Sequence, residues 1–287
     1  MTPRVQAPPV ISQNAITVLS ALLEARTGQQ LASYRSWRLD VALKPLVRDR
    51  GLDTLDQLVA LLLEGHDAAI GDRIVDALMN GESSFFRDQP VFDLIGDAML
   101  ARAKALRPGR RLRLWCAGCA TGQEPLSLAM MFADMVEQHG IAMPEIVATD
   151  VSETALVRAR EGRYTQFEIQ RGLPIRRMMR WFDSDGAEWV AKPDLVRMVQ
   201  YRRQNLVGDQ LPPGRFDAAL CRNVLLYLAP AIKARVFVNL ADVLVPGGVL
   251  VLGAGETVIG QTGLFEPSRS FRGLYERAGA ASGRIPA

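Results

Sequence analysis

The chain has 287 residues, of which 48% are hydrophobic and 23% charged, with a formal net charge of +3. That length suits about two domains, and the composition excludes a disordered or collagen-like chain. No 18-residue apolar run is present, the start lacks a signal-peptide core, and the mild charge gives no footprint for nucleic acid, so a cytoplasmic chain with no membrane insertion is expected.

Residues 1–11 are Pro-rich and read as a loose tail, and residues 12–80 as an all-α domain. Ile16, Leu19, Leu22 and Leu23 recur at three- and four-residue intervals, as do Leu55, Leu58, Val59 and Leu62. Four short helices are predicted there, punctuated by Gly28 and Gly51. Between Arg26 and Arg50 stand six basic residues against Asp40 and Asp49. Arg26, Arg35, Arg38, Lys44 and Arg48 are candidates for a docking surface that takes an acidic partner, the bland alternative being a solvated helix face.

Residues 81–88 break the helical period and read as a linker, and a helix follows from Gln89 to Leu106. From there to 277, strands and helices alternate: strands at Leu112–Cys116, Glu145–Thr149, Val196–Tyr201, Phe216–Cys221 and Val249–Gly253, with a last one within Phe271–Arg277. Helices are predicted at 124–138, 152–161 and 230–244, the last ended by Pro246-Gly247-Gly248. The alternation argues for an α/β domain with a mostly parallel sheet covered by helices on both faces. Residues 163–195 read as a small insertion at the sheet's edge, and 278–287 as a disordered tail.

The most informative stretch is Leu112 to Leu126, where a short apolar strand runs into a turn of small residues and a helix. Gly118 and Gly122 permit positive φ there and, without Cβ atoms, would leave room for a ligand. Three cysteines (Cys116, Cys119, Cys221) are too few for a disulfide framework, and no second pair completes a metal site around Cys116-x-x-Cys119. In an open parallel sheet, ligands sit at the strands' carboxyl ends. The polar residues falling there are Glu124, Asp150, Asn205, Arg222 and Asn223.

A nicotinamide site is disfavoured: the loop lacks G-x-G-x-x-G, Asp150 stands 32 positions after Gly118, and Glu124 would repel a pyrophosphate. A cofactor with a ribose and no phosphate at the turn fits better, and S-adenosylmethionine is one. Asp150 suits its ribose hydroxyls, Asn205 its adenine edge, and Arg87 its carboxylate.

Taken with Ser83-Ser84-Phe85-Phe86-Arg87, Leu114-Trp115-Cys116-Ala117-Gly118-Cys119-Ala120-Thr121-Gly122-Gln123-Glu124-Pro125, Ala148-Thr149-Asp150, Cys221-Arg222-Asn223-Val224-Leu225-Leu226-Tyr227 and Gly255-Glu256-Thr257, the chain resembles the chemotaxis receptor methyltransferase (CheR) family over nearly its whole length. The resemblance implies a Rossmann-like class I methyltransferase sheet with a small inserted β subdomain, preceded by an all-α N-terminal domain. It implies methyl transfer from S-adenosylmethionine to glutamate carboxylates on the cytoplasmic helices of chemoreceptors, giving methyl esters and S-adenosylhomocysteine. Carried over by position, Ser83, Arg87, Gly118, Glu124, Asp150, Asn205, Leu206, Arg222 and Asn223 would contact the cofactor. Tyr227, with Arg222, would serve the reaction, and a monomer without a metal is expected.

Some positions depart from the family pattern. Ser83 stands where Thr is usual, Gly81 where Asn is usual, and Leu126 where Tyr is usual. The stretch after Phe182 is shorter than in members that grip a receptor's carboxyl-terminal pentapeptide, which argues against tethered recruitment. The rivals are a methyltransferase for another protein or a small molecule, and a non-catalytic cofactor sensor that would not need Tyr227.

Overall fold

The computed structural model describes residues 11–31, 37–65, 67, 69–79 and 81–278. Residues 1–10 and 279–287 of the expected tails (1–11 and 278–287), with Arg35 and His66, lie outside the described residues, as does the side chain of Arg38. The chain divides into two compact units, Met1–Asn80 and Gly81–Ala287.

The first unit holds four helices: α1 (Gln13–Thr27), α2 (Trp37–Asp49), α3 (Leu55–Glu64) and α4 (Ile70–Leu78). Local chemistry sets their ends. Ser12 accepts a hydrogen bond from the Ala15 amide at the start of α1, and Thr54 and Gln57 form a capping box on α3. Gly28 and Gly65 stop α1 and α3 in the left-handed region, at φ 72° and 71°. Leu19, Leu39, Leu43, Leu58, Ile70 and Ile74 form the buried core. Ile11, read from sequence as tail, is partly buried against it.

The second unit opens with α5 (Gln89–Lys104), then alternates β1 (Arg113–Ala117), α6 (Gln123–His139), β2 (Glu145–Asp150) and α7 (Glu153–Glu161). An insertion follows: β3 (Arg163–Thr165), α8 (Gln166–Gln170), α9 (Ile175–Trp181), β4 (Phe182–Asp185), β5 (Glu188–Ala191) and α10 (Pro193–Val196). The alternation then resumes with β6 (Val199–Arg203), β7 (Phe216–Cys221), α11 (Pro230–Val243), β8 (Leu244–Leu252), β9 (Phe265–Pro267) and β10 (Tyr275–Arg277).

Seven strands form one sheet in the order β6-β2-β1-β7-β8-β10-β9. Strands β6 through β8 run parallel, and β10 pairs antiparallel with both β8 and β9. Strand order reverses beside β1, so the crevice for a ligand lies at the carboxyl ends of β1 and β7. The insertion makes a separate three-stranded antiparallel sheet, β3-β5-β4.

Alternation along the strands divides the core into two layers. Leu114, Cys116, Ile146, Ala148, Ala218 and Leu220 face one side, packed with Phe92 and Phe132. Trp115, Ala117, Val147, Ala219 and Cys221 face the other, packed with Phe237 and Leu240 of α11.

Three strand readings are corrected. The third parallel strand begins at Val199 and not at Val196, because Pro193 opens the short helix α10. Strand β8 begins at Leu244 and runs through Pro246-Gly247-Gly248, which the sequence reads as a break; Leu244 pairs with Phe216, and the register then shifts. The sequence reading also omitted β9, a three-residue edge strand containing Pro267.

Candidate functional site

The turn after β1 is built on the end of β2. The amides of Gly118 and Cys119 both donate to the Thr149 carbonyl, at 2.8 and 2.9 Å. The Ala120 amide donates to Asp150 Oδ2 at 2.8 Å, and Asp150 Oδ1 accepts from the Ser152 amide at 3.0 Å. Asp150 thus lies buried under the turn with its carboxylate oriented by two backbone donors.

Gly118 and Gly122 hold φ values of 80° and 93°, as a tight turn requires. The room their missing Cβ atoms were expected to leave for a ligand is taken by protein. A Cβ on Gly118 would stand 2.5 Å from Val224 Cγ2, and one on Gly122 would stand 2.9 Å from Ala159 Cβ and 3.1 Å from the Tyr201 hydroxyl. The glycines serve close packing of neighbouring loops onto the turn.

Glu124 projects from the first turn of α6 and meets Arg222, the residue after β7. Arg222 Nη1 donates to Glu124 Oε2 at 2.9 Å. Its Nη2 donates to Asp88 Oδ2 at 2.6 Å and to the Arg87 carbonyl at 2.9 Å. The Arg222 side chain is 2% exposed and that of Glu124 14%. Burial pushes the Glu124 carboxyl above its ordinary range, although the Arg222 charge and then Arg87 oppose the rise.

The linker enters this cluster in a constrained conformation. Phe86 and Asp88 both have positive φ, 45° and 61°, which non-glycine residues seldom adopt. The Phe86 amide donates to Ser127 Oγ at 3.0 Å, and the Phe85 ring packs edge-on to Tyr164 and Phe182 of the insertion, at 5.0 and 5.5 Å. Ser83 and Arg87 are half-buried.

Beyond Arg222, Asn223 sits at φ 58° and Val224 fills the Gly118 notch. A short 3-10 turn, Leu225–Tyr227, then presents a half-buried Tyr227. The Glu256 carboxylate accepts from the amides of Asn223 (2.8 Å), Gly253 (2.8 Å) and Leu226 (3.2 Å). After β6, Asn205 Oδ1 accepts from the Val207 amide at 3.0 Å, and the Leu206 carbonyl accepts from Asn239 Nδ2 at 2.8 Å.

The structure therefore joins Arg87, Glu124 and Arg222 in one cluster, Gly118 and Asp150 in one turn, and Asn223 with Tyr227 on one loop. The cysteines are buried free thiols, and burial drives each well above the ordinary thiol range. The docking candidates lie in the other unit. Arg26 is paired with Asp72 at 3.0 Å. Exposed Lys44 and Arg48 border a cleft of about 380 Å³ together with Asp40, Asp53 and Asp56, so this face carries both signs. Asp88 and Glu256 were given no role from sequence. Glu256 lies inside the Gly255-Glu256-Thr257 motif, and Asp88 directly follows the Ser83–Arg87 motif.

Residues 81–273 match the family described as CheR methyltransferase, SAM binding domain. The chain belongs to the CheR methyltransferase family. It is similar to chemotaxis protein methyltransferase Cher2 of Pseudomonas putida, 33% identical over 83% of this chain and 88% of the relative. It is similar also to chemotaxis protein methyltransferase 1 of Pseudomonas aeruginosa (34%; 82% and 87%) and to a Vibrio parahaemolyticus chemotaxis protein methyltransferase (33%; 92% and 96%). This CheR-family chain is accordingly an S-adenosylmethionine-dependent methyltransferase of chemotaxis, with a Rossmann-like sheet in the second unit and a helical unit earlier in the sequence. Among the described residues, no helix is long and apolar enough to cross a membrane.

The residues present fit the cofactor. Among the described residues, Arg222 Nε is a buried donor with no hydrogen-bond partner, at the strand-end crevice. Carboxylates at Glu124 and Asp150, with the cation of Arg87, match in type the ammonium, ribose hydroxyls and carboxylate of S-adenosylmethionine.

Proposed function

We propose that this enzyme methylates glutamate side chains on the cytoplasmic helices of chemoreceptors, acting in the cytoplasm as a monomer. The supporting observation is the cluster in which Arg222 ties Glu124 and the Arg87–Asp88 linker beside the Asp150-anchored turn. That arrangement gathers charge of both signs at the strand ends where a sulfonium amino acid would lie.

When bound, S-adenosylmethionine supplies a methyl group on a positively charged sulfur. Asp150 would hold the ribose hydroxyls, a carboxylate having lone pairs beyond those its backbone donors use. Glu124 would take the cofactor's ammonium and Arg87 its carboxylate, while Ser83, Asn205, Leu206 and Asn223 would hold the rest. Arg222 fixes Glu124 and the linker through Nη1 and Nη2, and its Nε, which no atom of the described residues satisfies, would be left for the bound cofactor. A substrate glutamate, with a reference pKa near 4.3, is ionised at neutral pH and needs no base. Tyr227 would orient the substrate carboxylate toward the methyl, one part of an in-line placement that as a whole can supply roughly 7–11 kcal/mol of a barrier. Lys44 and Arg48 of the helical unit, with Arg26, Arg35 and Arg38, attract the acidic receptor helix.

The test is calorimetric titration with S-adenosylhomocysteine, followed by transfer of labelled methyl to receptor cytoplasmic fragments. Base-labile label on receptor glutamates is expected. Cofactor binding with label appearing only on other proteins or small molecules overturns the substrate assignment.

A further inference from the structure

We propose that Glu256 is a positioning residue for Tyr227, acting by holding the backbone of the loop that carries it. The inference rests on the placement of Tyr227 beside the transferring methyl given above.

The loop after β7 is pinned at three places. Arg222 runs inward to Glu124, Asp88 and the Arg87 carbonyl. Val224 occupies the notch at Gly118. The third anchor is the Glu256 carboxylate, which collects amides from the ends of two neighbouring strands: Gly253, the residue after β8, and Asn223 and Leu226 on the loop after β7. Glu256 adds to these anchors at two features of the loop, beside the turn's own bonds from the Tyr227 amide to the Val224 carbonyl and from the Leu228 amide to the Leu225 carbonyl. Asn223 is left-handed at φ 58°, and Leu226 sits inside the 3-10 turn with its side chain 43% exposed. Gly253 completes the fit, since a Cβ there would stand 2.8 Å from Asn223 Nδ2 and 2.9 Å from its amide nitrogen. A carboxylate accepting backbone N–H groups makes charge-assisted bonds, stronger than neutral ones.

The two oxygens have separate duties. Oε2 serves Asn223 and Gly253, and Oε1 serves Leu226, next to Tyr227. In Glu256→Gln the amide oxygen can keep the two-bond side, which turns the NH2 toward the Leu226 N–H, donor against donor. The damage then falls on the Tyr227 turn more than on Asn223. A side chain that merely stabilised the fold would show no such selectivity.

Glu256→Gln is therefore compared with wild type in the full chain, by hydrogen exchange, S-adenosylhomocysteine titration and methyl transfer. Faster exchange is expected at residues 225–228, with strands β1 and β2 unchanged. Affinity for S-adenosylhomocysteine should hold within about twofold while kcat falls about tenfold, a loss of near 1.4 kcal/mol in the barrier. The same substitution in a Tyr227→Phe background should cost little more, since coupled residues are non-additive. Equal kcat losses in both backgrounds, or unchanged exchange at 225–228, overturn the proposal. A wild-type protein that transfers no methyl to receptor defeats the substrate reading instead, and the exchange comparison still decides whether Glu256 holds the loop.

Discussion

Arg222 and Glu124 stand 98 positions apart in the chain and meet at 2.9 Å, with the arginine side chain 2% exposed. The same guanidinium also reaches Asp88 and the Arg87 carbonyl, so one buried cation joins the glycine turn's helix, the fourth parallel strand's loop and the linker. Breaking a buried pair by removing one partner leaves the other charge uncompensated, at about 3–5 kcal/mol. Arg222→Met is expected to lose stability of that order in urea unfolding. Arg222→Lys should recover only part of it, because an ammonium lacks the planar fork.

Burial raises the Glu124 carboxyl above its ordinary range, with Arg222 and Arg87 in opposition. In the unliganded protein, this shift contributes stability that is full below the unfolded pKa and is lost as pH rises through the folded one. Cofactor affinity runs the other way, since the ammonium favours the ionised carboxylate. Titrations of S-adenosylhomocysteine at a series of acidic pH values should show tighter binding as pH rises through the Glu124 pKa, then a plateau. Glu124→Gln should flatten that dependence.

Gly118→Ala must hold a Cβ at φ 80° and only 2.5 Å from Val224 Cγ2. The left-handed backbone costs about 1–2 kcal/mol and the overpacking about 1–3 kcal/mol more. Thermal or urea unfolding of Gly118→Ala with Val224→Ala should recover the packing part and leave the backbone part.

Tyr227→Phe deletes one hydroxyl from the half-buried 3-10 turn. S-adenosylhomocysteine affinity should be kept while kcat drops about ten- to a hundredfold, the range of one hydrogen bond to a charged group. An unchanged kcat discards the role given to Tyr227.

Lys44 and Arg48 share one face of α2 with Asp40 and border the cleft of mixed charge in the helical unit. Reversing both to Glu should raise the receptor KM about three- to tenfold at low ionic strength, with cofactor affinity unchanged, and the effect should shrink as salt is added. A loss of cofactor affinity in parallel would point to misfolding.

Strands β2 and β7 were legible because each is a short, mostly apolar run that leads into polar residues, Thr149-Asp150 and Arg222-Asn223, whereas β6, Val-Gln-Tyr-Arg-Arg, lacks that run and its start was misplaced. Strand β8 defeated the same rule at its start: Pro246-Gly247-Gly248 obeys turn chemistry locally, while pairing to β7 draws it into the sheet. Polar residues at strand ends could be listed from the sequence, but not their partners. The contacts of Arg222 span 98 to 135 positions, and no local pattern predicts that three acceptors converge on it. The glycine turn was read correctly in its dihedral angles and wrongly in its vacancy, because Val224 and Ala159 approach from distant segments.

Every cysteine of the chain, Cys116, Cys119 and Cys221, is sequestered as a thiol whose ionisation is strongly suppressed. Thiolate is the species that alkylating reagents attack, so the folded enzyme presents a silent background to maleimides. A single cysteine introduced at a well-exposed position such as Val41 would then take up a probe alone, with no native thiol to remove first.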